Sequence, residues 1–229
     1  MPMHGVELKS PVLAYPAVTM KLSSRHTVIY IPGLFDRVLW VQYLQRQALK
    51  SWRVFGVQPE VFVMGWSSDA EFDDRIEALL KFIEERVTRG ETVSLVGASA
   101  GASAVIAVLE REPAGIAGAV LICGKIHRPH VIPDVVLEVN EVFEQGLEEV
   151  EDALAVLNPS QRSRLLSLRA RLDGIVPPQD SIIEGAVNKA MPVFGHVPGI
   201  GFALLRYGRL IAKFCANSVV ETSNRGLAD

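Results

Sequence analysis

Ser99 stands between two glycines, in Gly97-Ala98-Ser99-Ala100-Gly101, at the end of the apolar run Val93-Ser94-Leu95-Val96. A segment rich in Ala and Val, with helical spacing, follows over 100–111. A strand, a Gly-x-Ser-x-Gly turn and a helix together lift a serine hydroxyl clear of a sheet. The turn is so tight that the serine takes strained backbone angles, and side chains two residues to either side would collide. Gly97 and Gly101 are therefore the elbow-supporting positions. The N–H of Ala100 points into the same space, backed by the positive end of the helix. A helix-opening loop around a buried serine is the plainer alternative, because the pentapeptide alone is common.

A serine hydroxyl is a weak nucleophile until a base takes its proton, and a third group must orient that base. Five histidines are available. His4 and His26 precede the first firm strand, and His127 and His130 fall in an irregular stretch. His196, in Gly195-His196-Val197-Pro198, directly follows the expected last strand, in the loop position a base needs. Asp173 closes the run 165–172 and opens Asp173-Gly174-Ile175-Val176-Pro177-Pro178. A carboxylate at the C-terminal end of a parallel strand faces the crevice where such sheets place their sites. An aspartate that only makes a turn with Gly174 is the alternative. Asp134, Asp152 and Asp180 compete with it, but none ends a strand. The order Ser99, Asp173, His196 suits nucleophile, acid and base.

The negative oxygen of an acyl-transfer intermediate needs two donors. Beside the N–H of Ala100, the N–H of Leu34 in Pro32-Gly33-Leu34-Phe35 is the expected second, with Gly33 permitting close approach. Phe35, Trp66, His127 and Val197 are candidate pocket-lining residues, with Trp40 a further one. His127 and His130 could share a helix face as metal ligands, but Pro129 between them disfavours a regular helix. No metal and no cofactor is expected.

The elements that must hold these residues alternate short β-branched runs with longer helical ones, the pattern of βα units around a parallel sheet. Strands are expected at 27–31, within 54–64 (interrupted by Gln58-Pro59-Glu60), at 92–96, 116–123, 165–172 and 190–194. Helices are expected at 38–51, 71–89, 100–111 and 198–216. Residues 125–164 break the rhythm as an acidic helical insertion, expected to form a small helical cap near the site. Packing on the main domain is the alternative for its apolar residues.

A chain of 229 residues that is 49% apolar suits a single domain spanning 1–229. The net charge is −3 and no long basic run occurs, so nucleic-acid or anionic-membrane binding gains no support from bulk charge. Two distant cysteines argue against a disulfide framework and suit a reduced, cytoplasmic setting. No secretory leader is evident, and apolar runs of roughly ten residues are too short for an integral membrane segment.

The chain resembles the α/β-hydrolase superfamily from about 27 to 216. Four ordered pieces carry the resemblance: Pro32-Gly33-Leu34 after a strand, the elbow at Ser99, Asp173-Gly174-Ile175-Val176-Pro177, and Gly195-His196. The stretch from Gly185-Ala186-Val187-Asn188 to Pro198-Gly199-Ile200 looks like the tail of small lipases and esterases. The chain departs from many members in carrying Pro32-Gly33 where they have His-Gly, and Ala98 where they have a bulkier residue. The resemblance implies a three-layer α/β fold with a mostly parallel sheet and helices on both faces. It also implies a serine hydrolase acting on a small acyl compound, with a carboxylic ester as the leading substrate. Thioesters, amides and carbon–carbon bonds can be cleaved by the same three residues, and a non-catalytic binding protein is the alternative of a different class.

Overall fold

The computed structural model describes residues 25–111, 113–127, 138 and 140–225. Six strands form one sheet: β1 (His26–Ile31), β2 (Gln58–Val61), β3 (Thr92–Ala98), β4 (Ile116–Ile122), β5 (Leu165–Leu172) and β6 (Val187–Phe194). Their order is β2-β1-β3-β4-β5-β6, and every pairing is parallel. The chain runs from β1 outward to β2 and returns on the other side of β1 as β3. The C-terminal ends of β1 and β3 therefore flank the point where the winding reverses, the usual crevice for a site.

Both faces of the sheet are buried, which explains the near-continuous apolar runs of its central strands. Ile29, Ile31, Val93, Leu95, Ala119 and Leu121 face one core, and Val28, Tyr30, Val96, Ala98, Val120 and Ile122 face the other. The first face is covered by α2 (Phe72–Thr88), α3 (Gly101–Glu110) and α4 (Glu141–Val156). The second is covered by α1 (Leu39–Lys50), the 3-10 turn Ser51–Phe55, α6 (His196–Arg206) and α7 (Gly208–Arg225). The remaining short helix, α5 (Pro159–Ser163), starts from a reciprocal cap between Asn158 and Gln161.

α3 is apolar on every side, so it needs cover on every side. The acidic segment supplies it. Val142, Phe143, Leu147, Val150 and Leu154 of α4 join the core formed with α2 and α3. The apolar residues of this part of the expected cap thus pack on the main domain. The rest of that insertion, 128–137 and 139, lies outside the described residues, and with it His130 and Asp134.

Several boundaries differ from the sequence expectation, β6 for one beginning at Val187, and three of the differences have a physical reason. Gln58-Pro59-Glu60 do not interrupt the second strand; they are most of it. β2 lies at the sheet edge, where proline's missing N–H costs no ladder bond. The closing helix is two helices, broken at Tyr207. There the Trp52 indole donates to the Leu204 carbonyl at 2.8 Å, and a Cβ on Gly208 would stand 2.4 Å from the indole nitrogen. His196 is the first residue of α6 rather than a loop residue, because Gly195, at φ +91°, completes the turn before it. No described helix is long and apolar enough to cross a membrane.

Candidate active site

Ser99 follows β3 with φ +52°, a left-handed conformation that costs a non-glycine residue about 1–2 kcal/mol. Its N–H donates to the Ile122 carbonyl at 2.9 Å, which ties the turn to the end of β4. A Cβ on Gly97 would lie 2.3 Å from the Gly101 carbonyl oxygen, and one on Gly101 would lie 2.2 Å from the Ile31 carbonyl oxygen. The two glycines let three backbone segments touch.

His196 and Asp173 arrive from neighbouring strand ends. The Gly195 N–H donates to the Leu172 carbonyl at 2.7 Å, pinning the ends of β6 and β5 together. The Ser99 hydroxyl and His196 Nε2 are 2.8 Å apart, and His196 Nδ1 is 2.8 Å from Asp173 Oδ2. The other carboxylate oxygen, Oδ1, accepts the N–H groups of Ile175 and Val176 at 2.9 Å each. The two sequence readings of Asp173 are therefore compatible: one oxygen makes the turn and the other meets the imidazole. Burial opposes ionisation of Asp173, but hydrogen bonds from His196, Val176 and Ile175 outweigh it and hold the carboxyl below its ordinary value.

The loop after β1 lies against the serine. A Cβ on Gly33 would stand 2.7 Å from Ser99 Cβ and 3.3 Å from its hydroxyl oxygen. Among the described residues, no hydrogen bond occupies the N–H of Leu34 or of Ala100. Phe35, next in the loop, is left-handed at φ +67° and strongly exposed.

The remaining candidates separate. Val197 is exposed beside His196, as Phe35 is beside Leu34. Trp40 is exposed on α1. Trp66 does not line an open pocket: it is buried in the core, stacked on Phe72 and edge-on to Phe143, and its indole donates to the Pro32 carbonyl at 2.9 Å. His127 is anchored elsewhere, with Nε2 2.7 Å from the Ile182 carbonyl and Nδ1 3.9 Å from Glu151. Asp180 pairs with buried Lys125. His26 bonds Ser94 at 2.9 Å, at the start of the sheet. A hollow of about 280 Å³ lined by Leu109, Ile116, Gln161 and Arg164 includes none of the site residues.

Two neighbours of the site carried no sequence signal. Asp36 is buried, and its carboxylate accepts the Gly65 N–H at 2.6 Å. Burial raises its pKa, against donation from Gly65 and Trp66 and the nearby Arg37 and Arg75. Cys123, left-handed at φ +49° after β4, places its Sγ so that it, a ring nitrogen of His196 and a carboxylate oxygen of Asp173 lie within 4.8 Å of one another. These atom types suit a soft divalent metal. Yet Asp173 and His196 already satisfy each other, and burial pushes the thiol up to about 11, so it stays protonated at neutral pH.

No protein-family model matches the chain, and no curated protein matches it in sequence. Solved structures do match, over most of their length and of this chain. The monoacylglycerol lipase of Paleococcus ferrophilus is 15% identical, with a TM-score of 0.59 over 85% of this chain and 96% of its own. The fold is the α/β-hydrolase fold. Est1E from Butyrivibrio proteoclasticus shares it at 12% identity, with a TM-score of 0.61 and coverage of 86% and 89%. So does the N-formylmaleamic acid deformylase of Pseudomonas putida, at 13% identity, a TM-score of 0.54 and coverage of 79% and 91%. Within the α/β-hydrolase fold of this chain, Ser99, His196 and Asp173 meet at the C-terminal edge of the sheet.

Proposed function

We propose that the protein is a serine hydrolase that cleaves a carboxylic ester through an acyl-enzyme intermediate. One observation carries this reading: Ser99, His196 and Asp173 form an unbroken hydrogen-bonded line, with both bonds at 2.8 Å, beginning on a left-handed serine. Similarly folded proteins described as a lipase and a deformylase support hydrolysis of an acyl group without naming the leaving group.

The chemistry follows from the atoms. The Ser99 oxygen attacks the ester carbonyl carbon while His196 Nε2 takes the hydroxyl proton. Asp173 holds Nδ1–H and stabilises the imidazolium that forms. The carbonyl oxygen, now negative, is received by the N–H groups of Ala100 and Leu34. Collapse of the adduct breaks the bond to the alcohol, which leaves with the proton from His196. Water then attacks the acyl-serine by the same route, releasing the carboxylic acid and restoring Ser99.

A fluorophosphonate probe and a chain-length series of p-nitrophenyl esters, extended to matched thioesters and anilides, test the proposal. The wild type is expected to be labelled at Ser99 and to turn over esters fastest, and Ser99→Ala to do neither. Turnover unchanged in Ser99→Ala would overturn the assignment. Folded protein that neither reacts with the probe nor turns over any substrate would make this a binding module.

A further inference from the structure

Charge is distributed unevenly between the layers. Residues 37–59, covering α1 and the 3-10 turn, carry Arg37, Arg46, Lys50 and Arg53 and no acidic residue. Residues 185–220, covering β6, α6 and most of α7, carry Lys189, Arg206, Arg209 and Lys213 and again none. The whole chain has 23 Lys and Arg against 26 Asp and Glu, so setting these eight cations aside leaves 15 cations against 26 acids. The two stretches are neighbours in space: α6 packs on α1, and α7 packs on the 3-10 turn, over one face of the sheet.

The same layer exposes large apolar side chains. Leu39, Trp40, Tyr43 and Leu44 share one side of the first half of α1 and are each more than half exposed. Arg46 and Lys50 continue that side toward the C-terminal end. α1 begins at Leu39, shortly after the Gly33 loop that lies against Ser99. Phe35 follows Leu34, Val197 follows His196 and Ile175 lies two residues beyond Asp173, and all three are exposed. A helix surface with Trp, Tyr and Leu beside Lys and Arg is the pattern of a segment lying in a lipid–water interface. A nucleic acid would answer the cations and leave Leu39, Leu44 and Val197 in water, whereas a surface of anionic lipids answers both.

The geometry points to this layer as the surface by which the protein docks on an anionic lipid interface. α1 lies in the headgroup plane, and the loop that leads into it lies against Ser99, so an acyl substrate reaches the serine from the interface rather than through bulk water. The purpose of docking rests on the proposed acyl hydrolysis; the binding itself does not.

Trp40 makes the test direct, because Trp52 and Trp66, the other two tryptophans, are buried. The full chain is mixed with vesicles of phosphatidylcholine alone or with phosphatidylglycerol, and both cosedimentation and tryptophan emission are read. The anionic vesicles are expected to bind it and shift the emission to the blue, and the shift is expected to vanish in Trp40→Phe. Each cation near an anionic surface adds about fivefold in affinity, so the triple variant Arg46→Gln, Lys50→Gln, Arg53→Gln is expected to bind about 100-fold more weakly. Absence of binding, equal binding to neutral vesicles or full affinity in the triple variant overturns the proposal. So does lipid-free self-association that Trp40→Ser abolishes, which would make the face an interface between copies. Ser99→Ala is expected to bind vesicles as the wild type does. Wild type that hydrolyses soluble esters but ignores vesicles refutes docking alone. Wild type that binds vesicles but hydrolyses nothing refutes the hydrolase reading alone.

Discussion

Asp36 and Gly65 lie 29 residues apart, yet the Asp36 carboxylate accepts the Gly65 N–H at 2.6 Å. That bond joins the loop after β1, which presents Leu34 beside Ser99, to the loop after β2. The Trp66 indole grips the same loop through the Pro32 carbonyl. Leu34 is thus flanked on both sides by anchored residues, Pro32 and Asp36, each with a buried partner.

Asp36→Ala is expected to lower kcat by about 10–100-fold with a smaller change in KM, since a misplaced donor weakens transition-state stabilisation most. Asp36→Asn keeps an acceptor for Gly65 and is expected to stay within a few-fold of wild type. Steady-state kinetics on one soluble ester decide this. Equal losses in both variants would mean that the charge, not the hydrogen bond, matters.

The pH dependence of stability carries a sign. Burial raises the folded-state pKa of Asp36 above its unfolded value. Its contribution to stability is then fully present below the unfolded value and is lost as pH rises through the folded one. Asp36→Asn removes that loss, so its stability relative to wild type is expected to grow with pH across the interval. Asp173 has the opposite sign, because its folded-state pKa is lowered. It stabilises above its unfolded value, and that contribution fades as acid titrates it. Asp173→Asn is therefore expected to cost most at neutral pH and least in acid, as urea midpoints across a pH series would reveal.

Ser99 stores strain at the atom where the proposed reaction begins. Glycine adopts φ +52° freely, whereas alanine is strained there. Ser99→Gly and Ser99→Ala should both be inactive, with the glycine variant about 1–2 kcal/mol the more stable. Indistinguishable denaturation curves for the two would refute the strain.

Gly33→Ala tests the approach of the loop to the serine. The added methyl would stand 2.7 Å from Ser99 Cβ and 3.0 Å from the Ala98 carbonyl oxygen, so loop or serine must shift. Fluorophosphonate labelling is expected to slow by about 100-fold or more, while circular dichroism still reports the folded sheet.

Much of the site was legible because its signals are local. Gly97 and Gly101 mark a turn that only glycine permits, and Asp173 and Gly195-His196 each follow a strand readable from its apolar run. Trp66 was legible as a residue near the site but not in its role, since an aromatic after a strand reads the same whether it lines a pocket or braces a loop. Asp36 and Cys123 were not legible at all. Neither belongs to a pattern along the chain, and each matters through a partner tens of residues away.

From the sequence alone, the short apolar strands, the elbow and the order Ser99, Asp173, His196 follow, because each depends on the chemistry of residues next to one another. Only the tertiary structure decided that α4 covers α3, that β2 is an edge strand able to carry Pro59, and that 37–59 and 185–220, two stretches carrying eight cations and no acidic residue, lie side by side in a chain with net charge −3. Cover, edge position and surface field are properties of neighbours in space, and a linear pattern or a summed charge averages over them.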